Sequence, residues 1–294
     1  MRRKLDGVLL LDKPAGPSSS SALQAVKRLL GAQKAGHAGT LDPLASGLLP
    51  LLFGEATKFA QFGLDAAKEY LAGVQLGSAT DTGDAEGAII DRKPVDVDAD
   101  RLALALAQFR GDLEQVPPMY SALKKDGQPL YALARAGQTV VREPRRITVH
   151  ELELLERRGD LLQLRIRCSK GTYVRQLAID LGLALGSVAH LASLRRTAVG
   201  TLGIDQAATL DVLQALDETE RGRRLLPPDR LIEHLPRVDL GPDPAARFGH
   251  GQSVRLAAPA QGPCRVYGPD GALLGVAEAG AGTELRPSRL IATG

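Results

Sequence analysis

Near the start of the chain, four consecutive apolar residues, Val8–Leu11, sit between Asp6 and Asp12. A run this short with polar ends predicts a buried strand over Gly7–Asp12; no small-residue cleavage site follows, so it does not read as a leader peptide. The turn formers of Lys13-Pro14-Ala15-Gly16-Pro17 stop it. Ser18–Ser21 then offers N-cap hydroxyls to a helix carrying Ala22, Val26 and Leu29 on one face and closed by Gly31. Gly36–Gly47 reads as a loop, with glycines at both ends and one within. A second helix over Asp100–Arg110 places Leu102, Leu106 and Phe109 on one stripe, and Gly111 ends it. Leu162, Leu164, Ile166 and Cys168 alternate with Gln163, Arg165 and Arg167. That is a half-buried strand with one face open to solvent or ligand. It runs through Ser169–Tyr173 into a helix with Val174, Leu177, Ala178, Leu181 and Leu185 on one face.

Two stretches differ in texture. From Val116 to Arg146 come paired prolines, Lys124-Lys125, an Asp126-Gly127 turn and Arg142-Glu143-Pro144-Arg145-Arg146, which predict a basic, partly mobile arm leaving the core. After Pro236, glycine and proline become frequent and short strands are expected at Ser253–Leu256, Cys264–Gly268 and Ala272–Ala277, with a turn at Pro269-Asp270-Gly271. The expected organisation is therefore one domain over 1–236 and a small β-rich one over 237–294.

Composition narrows the function classes. With 44% hydrophobic and 24% charged residues among 294, the chain is an ordinary globular protein. Its longest apolar runs, such as Gly47–Phe53, are too short to cross a bilayer. Cys168 and Cys264 form neither a disulfide framework nor a metal-ligand spacing, and the five histidines are scattered, which points to a cytoplasmic, metal-free protein. Net charge is only +3, but the cations cluster as Arg142, Arg145 and Arg146, as Arg165, Arg167, Lys170 and Arg175, and as Arg195 and Arg196. Such patches suit phosphate contact, and each taken singly is equally a solvated face.

The candidate chemistry lies in Gly36-His37-Ala38-Gly39-Thr40-Leu41-Asp42-Pro43-Leu44-Ala45-Ser46-Gly47. It lacks the Gly-Lys-Ser/Thr ending of a phosphate-binding P-loop. An aspartate before a proline, in a loop whose glycines permit close backbone approach, is either held toward a ligand or caps a turn.

This segment resembles the GHxGTLDPxAxG signature of the tRNA pseudouridine-55 synthases, the TruB family. Val8–Gly16, Lys68-Glu69-Tyr70 with Gly77–Gly87, Pro117–Lys124, Cys168–Arg175 and Leu194–Arg196 resemble further family motifs in the same order. Ala38 and Ser46 stand where threonine is common in the family. The resemblance implies an α+β fold, a mixed, largely antiparallel sheet with flanking helices, followed by a small β-barrel-like PUA domain that binds RNA. It implies isomerisation of uridine 55 in the T loop of tRNA after base flipping, without cofactor or metal. Asp42 would be the essential carboxylate, Arg175 its cationic partner and Tyr70 the ring against the target base. His37 would support the flipped state, Leu194 would line the uracil pocket and Asp84 would contact the flipped nucleotides. Tyr173 is a second candidate for base contact, because aromatics make up only 3% of the chain. Lys13 and Pro14 would buttress the site. The implied partner is tRNA, through its T arm and acceptor stem, with no membrane or obligate protein partner and a monomeric state. A guide-RNA-dependent synthase and an RNA-folding helper that does not depend on catalysis are the competing expectations.

Overall fold

The computed structural model describes residues 2–292 other than 122, 126, 139 and 281. Ala122 of the Pro117–Lys124 motif and Asp126 of the expected arm turn thus lie outside the described residues. The main sheet runs, edge to edge, through Ala208–Thr209, Gly7–Lys13, Ser46–Phe53, Ala189–Val199, Lys68–Leu76, Leu161–Cys168, Arg145–Arg158 and Gly111–Gln115. Two pairings are parallel, Gly7–Lys13 with Ala208–Thr209 and Ala189–Val199 with Ser46–Phe53, and the others in this series are antiparallel. The sheet is therefore mixed and largely antiparallel, as the family resemblance implies.

Burial explains the sequence patterns. Leu9 and Leu11 pack into one core with Ala22, Leu23 and Val26 of the Ser19–Leu29 helix, while Val8 and Leu10 pack into another with Leu48, Leu52 and Val199. A strand covered on both faces can be apolar throughout, hence the unbroken Val8–Leu11 run. The apolar run Gly47–Phe53 has the same cause: it lies in the Ser46–Phe53 strand, and Leu49, Leu51 and Phe53 face one core while Leu48 and Leu52 face the other. Beyond the seam, Ala72, Val74, Leu162, Leu164 and Ile166 share a core with Leu177, Ala178 and Leu181 of the Val174–Ala184 helix, and these strands alternate because only one face is covered.

The seam itself is narrow. Ala189–Val199 meets Ser46–Phe53 only through Arg195 opposite Ser46 and Arg196 opposite Gly47. Gly47 has φ +102°, and a Cβ there would stand 2.2 Å from the Arg196 carbonyl oxygen.

The arm is shorter than its composition suggests. Arg145 and Arg146 open the long strand Arg145–Arg158, with Arg145 opposite Gln115, so the excursion leaves and rejoins the sheet edge at one place. It holds a two-stranded hairpin, Lys124–Lys125 with Gln128–Pro129, and a short helix, Leu130–Arg135.

A second, curled sheet of five strands follows in the order Arg237–Asp239, Gly262–Tyr267, Leu273–Ala279, Glu284–Leu290 and Val254–Arg255. Phe248 of the Pro242–Gly249 helix is wholly buried in its core. Val276 packs with Phe59, Ile232 and Leu235 to dock this sheet on the rest of the chain.

The seam yields a test. Gly159, φ +60° in open space, tolerates alanine at only the left-handed backbone cost of about 1–2 kcal/mol. Gly47→Ala must also move main chain, so urea unfolding will show a larger loss for Gly47→Ala than for Gly159→Ala.

Candidate active site

The loop carrying Asp42 is fixed from three sides. Arg196, 1% exposed, donates from Nε to the Leu48 carbonyl at 2.7 Å, from one Nη to Gly39 at 3.1 Å and from the other to Thr40 at 3.4 Å. The buried Ser19 hydroxyl accepts from the Leu41 N–H at 2.7 Å and donates to the Leu41 carbonyl at 2.9 Å. Gly16 N–H donates to the Pro43 carbonyl at 2.8 Å, and Ala45 N–H to that of Asp42 at 3.0 Å. The main chain on both sides of Asp42 is thus held by partners outside the loop, at Leu41 by Ser19 and at Pro43 by Gly16, and its side chain faces a cavity.

Arg175, in the first turn of the Val174–Ala184 helix, meets Asp42 there. Its guanidinium donates to Asp42 Oδ2, forms an ion pair through Nε with Asp84 Oδ2 at 3.1 Å, and donates to the Thr82 carbonyl at 3.2 Å. The two carboxylates are unlike. The Asp84 side chain is 4% exposed and takes the Thr82 hydroxyl at 2.6 Å and the Glu86 N–H at 3.1 Å, whereas the Asp42 side chain is 52% exposed. The pocket is therefore open on the Asp42 side, not closed around the carboxylate. Main-chain bonds from Ala85 N–H to Leu191 and from Leu191 N–H to Gly83 hold the Asp84 turn on the seam strand.

A cavity of about 210 Å³ adjoins Asp42, lined also by Tyr70, Ser121, Tyr173, Arg175, Leu191 and Leu194. That is the volume of about seven waters, room for one flat ring. Tyr70 and Leu194 pack against both large cores, so the cavity floor sits where the two halves of the sheet meet. Burial pushes the Tyr70 phenol above its ordinary pKa, against the opposing pull of the Arg196 cation. Tyr173 is raised by burial too, so both phenols are neutral and able to donate at pH 7.

Asp42, Arg175, Tyr70, Tyr173 and Leu194 are thus brought together. The other expected site residues are not part of the lining. Asp84 is buried and joins the site through its ion pair with Arg175. Lys13 is wholly buried and its ammonium donates to the Pro14 and Pro17 carbonyls, each at 2.8 Å; it closes the turn that presents Gly16 and has no surface for a substrate. His37 ends the Ala35–His37 strand ahead of the loop, half-buried, with Nδ1 unpartnered; burial and then Arg196 hold its pKa below the ordinary value, so it is neutral at pH 7.

Ser19, Arg196 and Gln115 hold the site without having stood out as doing so. Ser19 lies in a serine run whose only local signal is capping, and Arg196 in a pair that reads as a basic patch. Gln115 sits just before the paired prolines and bonds the main chain of Tyr173, 58 residues on. Of the other clustered cations, Arg165 and Arg167 pair with Glu153 and Glu151 across the strands, Lys170 with Asp65 and Arg195 with Asp12. Among the described residues, no group of three or more His, Cys, Asp or Glu could hold a metal ion, and no helix is long and apolar enough to cross a membrane.

The comparisons with known proteins agree in family. Residues 27–174 match the model of the N-terminal domain of TruB family pseudouridylate synthases. Residues 175–233 match that of the tRNA pseudouridylate synthase B C-terminal domain, and 236–291 that of the C-terminal segment of pseudouridine synthase II TruB. A protein of Azoarcus sp. (strain BH72) named tRNA pseudouridine synthase B is 54% identical over 292 residues, covering 99% of this chain and 97% of the relative. A protein of the same name from Burkholderia mallei (strain NCTC 10247) is 55% identical over 300 residues, covering 100% and 99%. Among solved structures, a chain of the archaeal box H/ACA sRNP Nop10-Cbf5 complex superposes with TM-score 0.74 at 25% identity, covering 98% of this chain and 86% of the other. A chain of an H/ACA RNP bound to a substrate RNA containing 2′-deoxyuridine gives TM-score 0.74 at 26% identity, covering 97% and 85%.

Lys68, two residues before Tyr70, provides a pH test. Burial, with Arg196 adding to it, lowers its pKa to about 8, and its ammonium donates to the Leu64 and Ala66 carbonyls at 2.5 and 2.6 Å. A lysine depressed in the folded state binds fewer protons there than in the unfolded chain between about pH 8 and 10.5, so stability rises with pH across that window. Urea unfolding of wild type relative to Lys68→Met will show that rise, up to roughly 3 kcal/mol, with none below pH 7.

Proposed function

The chain belongs to the TruB family of pseudouridylate synthases, and on that footing we propose that it converts uridine 55 in the T loop of tRNA to pseudouridine, with Asp42 as the essential carboxylate. The observation that carries this reading is the exposed Asp42 carboxylate, held by a buried guanidinium at the edge of a cavity sized for one ring. In this isomerisation the bond from ribose C1′ to uracil N1 breaks, the base turns and C5 bonds to C1′. The C5 proton is lost and N1 gains one, so no atom need be supplied. A base stacked in a folded loop cannot enter such a cavity, so the uridine must be extruded first. His37, outside the cavity at the head of the Asp42 loop and neutral, then lies beside the vacated stack. Tyr70 supplies a flat face and a protonated phenol, Leu194 an apolar wall, and Arg175 keeps Asp42 in place.

The rest of the molecule extends the grip on the RNA. Residues 1–236 form the catalytic domain, and its arm, about 116–146 with the two arginines at its sheet end, holds the T arm. Residues 237–294 form a PUA-like domain against the acceptor stem. The protein acts in the cytoplasm as a monomer on bare tRNA, without an obligate protein partner. The solved neighbours come from ribonucleoprotein complexes, which makes a guide-RNA-dependent activity the alternative outcome.

Incubating purified protein with an unmodified tRNA transcript and mapping pseudouridine separates these readings. Wild type is expected to produce a single pseudouridine in the T loop, and Asp42→Asn to bind the transcript while losing roughly 1,000-fold or more in rate. A folded, tRNA-binding wild type that forms none overturns the stand-alone reading.

A further inference from the structure

We infer that Gln115 is a positioning residue for the isomerisation, tying the root of the arm to the main chain that carries Tyr173 and Arg175. Gln115 is the last residue of the edge strand Gly111–Gln115 and lies opposite Arg145, where the excursion departs and returns. Its side chain turns inward, with the residue only 4% exposed. The amide oxygen accepts from the Tyr173 N–H at 2.8 Å and the amide nitrogen donates to the Tyr173 carbonyl at 3.1 Å. One side chain thus satisfies both main-chain groups of one residue, a two-point contact that fixes translation and rotation together.

The residue so held matters. Tyr173 is the N-cap of the Val174–Ala184 helix and makes no side-chain capping bond of its own, while its carbonyl accepts from Leu177 N–H at 3.0 Å. Its ring lines the cavity, and two residues on, Arg175 spends its guanidinium on Asp42, Asp84 and the Thr82 carbonyl. A shift at Tyr173 therefore reaches Asp42 through Arg175. On its other side Gln115 adjoins the arm, whose Ser121 lines the same cavity and whose Pro117 carbonyl is held by Arg142 at 2.9 Å. The arm and the cavity wall share Gln115 as a common anchor, so RNA held by the arm is set in register with the carboxylate.

This inference rests on the proposed tRNA isomerisation. If that reading fails, wild-type protein forms no pseudouridine; if only the inference fails, wild type is active and the variants match it. The test compares wild type, Gln115→Leu and Gln115→Glu by single-turnover pseudouridine formation on an unmodified tRNA transcript and by filter-binding Kd on the same RNA. Gln115→Leu leaves the Tyr173 N–H unpaired and its carbonyl with the Leu177 N–H alone, and a displacement near 1 Å costs roughly 100-fold in rate, so its rate constant is expected to fall about 10- to 100-fold with Kd within about threefold. Gln115→Glu supplies the acceptor but, when ionised, not the donor; once protonated it supplies both. Its rate relative to wild type is therefore expected to climb as pH falls from 8 to 5.5. A wild-type rate in Gln115→Leu, a loss confined to Kd, or a pH-independent Gln115→Glu ratio each overturns the inference. Should Gln115→Leu fail to give a cooperative thermal melt, the Gln115→Glu pH profile decides alone.

Discussion

A buried guanidinium at the seam of the sheet sets the conditions for the rest of this protein. Arg196 lies in the one short stretch where the two halves of the sheet pair, and it is almost wholly removed from water. A charge so placed is tolerable only if its donors are used, and they are used on the carbonyls of Gly39, Thr40 and Leu48. The Asp42 loop is therefore a ligand shell for a cation, and its shape follows from the need to supply those oxygens. The same cation acts at longer range. It depresses the pKa of Lys13, His37 and Lys68, in each case second to burial itself. Burial pushes three basic groups around the site toward neutrality, and the guanidinium that keeps its proton adds to that push.

Next to this rigid element, the Asp42–Arg175–Asp84 trio has a defined charge balance. One guanidinium serves two carboxylates, so the set carries a net negative charge if all three are ionised. The buried carboxylate is further satisfied by a hydroxyl and a main-chain N–H, while the half-exposed one meets the guanidinium and then solvent. The more exposed of the two carboxylates is thus Asp42, at the edge of the cavity. Asp84 serves as the inner anchor that lets Arg175 point outward at a fixed angle.

Much of the fold was legible in the sequence because its signals are local. Continuous apolar runs marked the strands covered on both faces, and alternation marked Leu161–Cys168, covered on one. The position of Asp42 was marked by its motif. What escaped depends on partners far along the chain or on which face a residue takes. Neighbours in a strand point to opposite sides, so the pair Arg195-Arg196 splits: one arginine reaches out to Asp12 and the other turns in to the loop. Composition cannot separate those fates. Arg145 and Arg146 looked like arm because they follow a proline in a basic stretch, yet edge pairing with Gln115 and Glu114 makes them strand. Ser19 and Gln115 act on residues 22 and 58 positions away, beyond any local pattern.

The C-terminal sheet enters the same chain of constraints through the Ser46–Phe53 strand. At one end of that strand Gly47 abuts Arg196; at the other the chain turns at once into Gly54–Phe59. From this short turn Glu55 accepts from the Ala292 N–H at 2.6 Å, Lys58 donates to the Leu290 carbonyl at 2.8 Å, and Phe59 packs on Val276. On the other side of the junction Arg265 donates to the Leu235 carbonyl at 3.1 Å and the Tyr267 hydroxyl bonds Asp229. The C-terminal sheet is thus attached by apolar packing and by polar contacts on both flanks, one of them leading within a single strand to the Asp42 loop. A structured RNA presents its features at fixed separations. A protein that reads two of them gains most when the two reading surfaces are held at a constant span, because the second contact then carries little further ordering cost. The direct link from Arg196 through Ser46–Phe53 and Phe59 to Val276 holds the C-terminal sheet at a constant span from the Asp42 loop.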